Sequence, residues 1–289
     1  MRSNVTQYDL IAPTSLDAVL QILADSPDHY TPIAGGTELM VALGAGNLQP
    51  RKLISLWNLE ELRFIEDATD AIIIGAGATF TDIRNHPTIA EHLPLLTQAA
   101  SWTGSIANQN RATIGGNIVN ASPAADTPPA LLAYDAELTL VSSHGERTLP
   151  YRDFHLGYKK TALAPGELLH SITILCNFGD YKTYIRKVGT RNAQAISKVA
   201  LAGLARLNNT IMPKFVTDIR IGAASLREVP TRLHATEQAL LHQPITPETI
   251  AAARAALINE SKPIDDIRST AKYRTAAAAN LLEEFLRSL

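Results

Sequence analysis

The chain has a single cysteine, Cys176, in 289 residues. That scarcity excludes a disulfide framework, a thiolate zinc centre and an iron–sulfur cluster built from this polypeptide alone. An excess of either charge is missing as well, since 26 Lys and Arg against 28 Asp and Glu leave a net charge of −2. Electrostatic binding to nucleic acid needs a basic excess or stripe, so that class is excluded. No apolar run reaches the length of a membrane-spanning helix; the alanine-rich stretches near 251 and 276 are broken by Arg254 and Thr275. The polar start MRSNVTQYDL does not read as a signal peptide, so the expectation is a soluble, cytoplasmic protein. Internal repeats and low-complexity linkers are also absent. The histidines show neither His-x-x-x-His nor His-Glu-x-x-His spacing, and there is no Gly-x-Ser-x-Gly elbow. No metal ligand and no catalytic nucleophile is assigned.

What the chain does have is material for a core: 46% of residues are apolar and 19% charged. Such a composition folds as one large domain or as two to three modest ones. The start is βαβ-like. Ser15 is a plausible N-cap for a helix carrying Leu16, Val19, Leu20 and Leu23 at helical spacing, a second helix begins near Thr37, and a strand covers 52–56. Strands are expected at 71–74, 136–141 and 168–174, a helix at 93–101, and a hairpin turn at Ser143-His144-Gly145. Beyond 177 the pattern gives strands at 184–188, 196–207 and 218–222, then helices at 232–241, 247–257 and 270–286. The implied domains are 1–57, 58–176 and 177–289.

Three glycine segments bear on function. GAGATF (75–80) begins like a dinucleotide fingerprint, but Phe80 stands where the third glycine belongs and Pro87 cuts the following helix to about two turns. It reads as a tight strand-to-helix turn. AGGTEL (34–39) and TIGGN (113–117) each place adjacent glycines among hydroxyl and amide side chains. Either alone is an ordinary glycine turn. Together they suggest a bipartite phosphate site made of backbone N–H groups, with Thr37, Thr113, Asn117 and Ser122 adding side-chain donors. Asp126 is anionic and suits ribose hydroxyls or an adenine edge better than phosphate. The run 184–203 carries Arg186, Lys187, Arg191 and Lys198. It reads either as a solvated strand–loop–strand or as a source of positive charge beside a reduced flavin.

Five collinear blocks, AGGTEL (34–39), TIGGNIVNASPAADTPPALL (113–132), GYKKTALAPGELLHSI (157–172), RKVGTRNAQAISKV (186–199) and PIDDIRSTAKYR (263–274), span almost the whole chain. In these blocks the sequence resembles the FAD-binding (medium) subunits of the molybdenum hydroxylases, of the xanthine dehydrogenase and carbon monoxide dehydrogenase type. The resemblance implies an α+β protein of the vanillyl-alcohol-oxidase type. Two α/β subdomains would hold FAD between them, and a C-terminal α+β domain with an antiparallel sheet and helices would cover the flavin.

It also implies roles for single residues. Pro32, Ile33, Ala34, Gly35, Gly36, Thr37, Glu38 and Leu39 would bind the FAD pyrophosphate, and Thr113, Ile114, Gly115, Gly116 and Asn117 would form the second loop. Asp126 follows as the acidic residue, and Leu169 and Lys187 fall near the flavin ring. One stretch departs from the family. Where its members often read Gln-Ile-Arg-Asn before the second loop, this chain has Ala107-Asn108-Gln109-Asn110. The function implied is electron transfer. Electrons from a small [2Fe–2S] subunit, originating at a large molybdenum subunit, would pass through FAD to NAD or another acceptor. A free-standing flavin oxidase of the same fold and a flavin-free assembly subunit are the alternatives.

Overall fold

The computed structural model describes residues 7–48, 52–191, 193–208 and 214–289. Part of the N-terminal stretch read above (residues 1–6) and Asn192 of the 186–199 block lie outside the described residues. The chain begins with β1 (Asp9–Ile11), α1 (Leu16–Asp25), β2 (Thr31–Ile33), α2 (Leu39–Gly44) and β3 (Lys52–Ser55). Ser15 has extended backbone and its side chain accepts from Ala18 N, so α1 starts at the anticipated cap. Val19, Leu20 and Leu23 bury one face of α1. The strands form a parallel sheet in the order β1-β3-β2. The core under this sheet includes Ile54, Leu59 and Leu62, and it reaches Leu168 of the next unit.

The second unit holds β4 (Ile65–Asp67), β5 (Ala71–Gly75), helices α3 (Phe80–Asn85), α4 (Pro87–His92), α5 (Pro94–Trp102), α6 (Ile106–Gln109), α7 (Ile114–Val119) and α8 (Pro128–Ala133), then β6 (Glu137–Ser142), β7 (Gly145–Pro150), β8 (His155–Gly157), β9 (Lys160–Thr161) and β10 (Leu168–Leu175). Its main sheet runs β4-β5-β10-β6-β7 and every neighbouring pair is antiparallel. This antiparallel sheet with its short helices accords with the α+β class. The helices are short because proline punctuates them: Pro87, Pro94 and Pro128 each open a helix, where a missing N–H costs nothing. Thr79 and Asp82 form a reciprocal capping box at the start of α3, so GAGATF is the strand-to-helix turn anticipated for it.

The third unit comprises β11 (Lys182–Val188), β12 (Val199–Leu207), β13 (Val216–Ala224), β14 (Thr231–Arg232), α9 (His234–Leu240), α10 (Pro247–Glu260) and α11 (Ala271–Arg287). Its antiparallel sheet runs β11-β12-β13-β14. The continuous apolar run of β12 follows from burial on both faces. Ala202 and Leu204 join the core of the second unit, while Val199, Leu201 and Ala205 pack with Leu257, Leu282 and Phe285. At the seam between the two units Arg232 donates to Leu132 O and pairs with Asp135 and Glu237, and Arg220 reaches Asp135 at 3.0 Å. Among the described residues no helix is long and apolar enough to cross a membrane.

Phe285 is fully buried and its ring stacks on Tyr184 with centroids 5.2 Å apart. Phe285→Ala should cost about 3–5 kcal/mol, the usual loss for a buried aromatic leaving a cavity. Chemical denaturation of the C-terminal unit measures it, and a loss below about 1 kcal/mol would contradict this packing.

Candidate cofactor site

After β2 the backbone turns through residues 34–38. Gly35 lies so near the strand-like stretch before α7 that a Cβ on it would sit 1.7 Å from Arg111 O, and Gly36 has φ +76°. Both positions therefore require glycine, the first for close approach and the second for left-handed backbone. Among the described residues, the N–H groups of Gly35, Gly36, Thr37 and Glu38 donate to no protein group. Four consecutive unspent donors suit an anion. Thr37 does not cap α2; Glu38 occupies the cap position without a side-chain cap bond.

The second glycine segment behaves differently. Thr113 is extended and caps α7, its Oγ1 accepting from Gly116 N at 3.1 Å. Ile114 N donates to Ala78 O at 3.0 Å, Gly115 N to Ala76 O at 2.9 Å and Asn117 N to Thr113 O at 3.0 Å. Gly115 N and Gly116 N, expected from sequence to face a pyrophosphate, both donate within the protein in this structure. Gly115 is small because a Cβ there would come within 2.6 Å of Ala76 Cβ. The turn at 75–79, set aside as bland from sequence, is what anchors this loop: Thr79 bridges Thr113, and Phe80 N donates to Ala112 O. The other end of α7 is held by His155, whose Nε2 must carry a proton to donate to Ile118 O at 2.9 Å. Burial pushes the pKa of His155 below its ordinary value, which favours this neutral imidazole.

Asn117 Oδ1 accepts from Thr127 Oγ1 at 2.6 Å, and Ser122 braces a turn through Ala124 N rather than opening a helix, since α8 begins at Pro128. Asp126 and Lys187, which the sequence assigns to different parts of the ligand, meet each other at 2.6 Å with side chains only 11% and 9% exposed. Lys187 Nζ also donates to Trp102 O, and Ser197 Oγ donates to the other Asp126 oxygen at 2.7 Å. Ser197 O in turn accepts from Ser225 Oγ, and Ser225 N donates to Pro123 O. The segment after the second glycine loop is therefore locked onto the C-terminal unit. Leu169, on β10, is buried in the core of the second unit.

At the stretch that departs from the family pattern, Gln109 is buried; its amide donates to Ser101 O and accepts from the Arg84 guanidinium of α3 at 2.7 Å. Sequence reasoning also passed over Trp57, whose ring carries Arg111 at 3.9 Å and Arg63 at 5.2 Å, and Lys159, whose Nζ is 3.5 Å from Glu38 Oε1. Lys159 lies in a block already singled out, so its charge was the available signal; Trp57 and Arg84 offered none.

Burial pushes the Asp126 carboxyl above the usual carboxylate range, while Lys187 and Ser197 pull it back. With a raised folded-state pKa, the native chain binds this proton more readily than the unfolded chain. Its contribution to stability therefore falls as pH rises from about 4. Lys187→Met leaves the carboxylate buried and unpaired, and should cost about 3–5 kcal/mol at pH 8 and markedly less at pH 5. Thermal melts at the two pH values test this, and a loss as large at pH 5 as at pH 8 would contradict the pairing.

Comparison with known proteins agrees with this architecture. A family model described as the FAD binding domain in molybdopterin dehydrogenase matches residues 6–174, and one described as the CO dehydrogenase flavoprotein C-terminal domain matches 184–289. The xanthine dehydrogenase FAD-binding subunit of Escherichia coli O157:H7 is 31% identical over 265 residues, covering 91% of this chain and 89% of that protein. The carbon monoxide dehydrogenase medium chain of Hydrogenophaga pseudoflava is 28% identical over 287 residues, covering 98% and 96%. A solved chain of carbon monoxide dehydrogenase from the same organism superposes with a TM-score of 0.92 at 28% identity, covering 97% of this chain and 96% of that one. The chain belongs to the family of FAD-binding medium subunits of the molybdenum hydroxylases.

Proposed function

We propose that this chain is the electron-transfer flavoprotein of a cytoplasmic, heteromeric molybdenum hydroxylase, acting between a small [2Fe–2S] subunit and NAD or another acceptor. A large subunit bearing the molybdenum cofactor would carry out the hydroxylation. One observation carries the reading: four unspent N–H donors at Gly35–Glu38 stand against the segment that leads into the second glycine loop. That cradle fits the pyrophosphate of FAD, an anion that accepts several N–H bonds at once. Bound FAD accepts and releases electrons singly or in pairs, which is the chemistry needed between clusters and a two-electron acceptor.

The protein's own residues hold and orient. Gly35 lets the backbone come close, Gly36 permits its left-handed turn, and α7 is fixed by the turn at 75–79. Lys187, tied to Asp126 and Trp102 O, fixes the C-terminal unit against the second one. We assign the cofactor to the first two units, 1–57 and 58–176, and the partner-facing role to 177–289. The relatives support this assignment through their own names, among them the medium chain of a carbon monoxide dehydrogenase and a xanthine dehydrogenase FAD-binding subunit.

The purified chain should show a flavin spectrum. Gly35→Ala, whose methyl would collide with Arg111 O, and Gly36→Val, forced into left-handed backbone, should each retain little flavin. Dye reduction by purines, aldehydes or carbon monoxide should be absent with the chain alone and appear once iron–sulfur and molybdenum subunits are added. Full turnover by the isolated chain would overturn the proposal in favour of a free-standing oxidase.

A further inference from the structure

Glu38 sets an electrostatic problem. It lies in the loop whose free N–H groups suit an anion, and a carboxylate beside a pyrophosphate is repelled by it. Lys159 meets that carboxylate: its Nζ stands 3.5 Å from Glu38 Oε1 and donates to Asn120 Oδ1 at the C-terminal end of α7. Among the described residues, Lys159 is the cation within ion-pair reach of Glu38.

Its position is unusual. Lys159 sits at the tip of the β8–β9 hairpin with φ +55°, a conformation that side-chain-bearing residues rarely adopt. The neighbouring Tyr158 N–H donates to Glu228 Oε1 of the C-terminal unit at 3.1 Å. Two adjacent residues thus touch the first unit through Glu38, the second through Asn120 and the third through Glu228. The Lys159 and Glu38 side chains are 37% and 63% exposed, and ion pairs so exposed add little to folding stability. The two-residue turn between Gly157 and Lys160 puts Lys159 in the left-handed region and brings its Nζ to the glycine loop.

We propose that Lys159 is the counter-ion of the first glycine loop: it neutralises Glu38 and tethers it to α7, so that the loop accepts an anion. This rests on the FAD reading above and makes Lys159 a positioning residue. The flavin-free chain, titrated with FAD and followed by flavin fluorescence, provides the test. Lys159→Ala should bind FAD roughly five- to tenfold more weakly at low ionic strength, with the deficit shrinking in about 0.5 M salt. Lys159→Arg should bind as the parent does. Glu38→Gln combined with Lys159→Ala should recover most of the lost affinity, which a merely structural role of Lys159 would not produce. If the alanine variant fails to fold, Lys159→Gln, which keeps a donor for Asn120 but no charge, asks the same question. Unchanged FAD affinity in the charge-free variants, or a double variant as weak as the single one, would overturn the proposal. A parent chain that takes up no FAD would instead refute the cofactor reading itself.

Discussion

The distance between the backbone at Gly35 and the carbonyl of Arg111 governs how the first two units meet. No side chain fits between them, since even a methyl on Gly35 would fall 1.7 Å from the Arg111 oxygen. The same Arg111 lays its guanidinium over Trp57, at the junction between the two units. From Ala112 onward the chain is pinned to residues 76–80 by successive backbone hydrogen bonds. One close contact therefore fixes the separation of the two glycine segments.

Within that frame the two loops divide the work. The first keeps its donors unspent, and the second spends its donors on holding α7 in place. The charged residues divide likewise. Asp126 and Lys187 neutralise each other in a buried pair and serve as a lock between units. Such a pair costs desolvation, repaid here by Ser197 and Trp102 O, which satisfy remaining hydrogen-bonding capacity on each partner.

Local pattern made much of the fold legible. Ser15 announced α1, Pro87 the brevity of α3, and the apolar stretch 196–207 a strand. The family resemblance supplied the cofactor and the α+β class. Long-range pairings stayed out of reach, because sequence spacing carries no trace of them. Asp126 and Lys187 stand 61 positions apart and Arg84 and Gln109 stand 25 apart, and nothing local in either stretch reports the other. The partners of the second glycine loop were equally hidden: paired glycines look alike in sequence, and only Ala76 O and Thr113 Oγ1 show where the N–H groups of Gly115 and Gly116 go. The hairpin at 143–145 was legible, but the pairing of β10 between β5 and β6 was not, since six short helices separate β5 from β6 in the chain.

The central claim is that the first glycine loop recognises a pyrophosphate rather than a flavin ring alone. FMN carries the same isoalloxazine as FAD but ends in a single phosphate, so it cannot bridge the unspent donors of residues 35–38 as the dinucleotide can. Equilibrium titration of the flavin-free chain with each compound measures the difference directly. FAD should bind at least about a hundredfold more tightly than FMN, which corresponds to the loss of a few charge-assisted hydrogen bonds. Equal affinity for the two flavins would contradict the account.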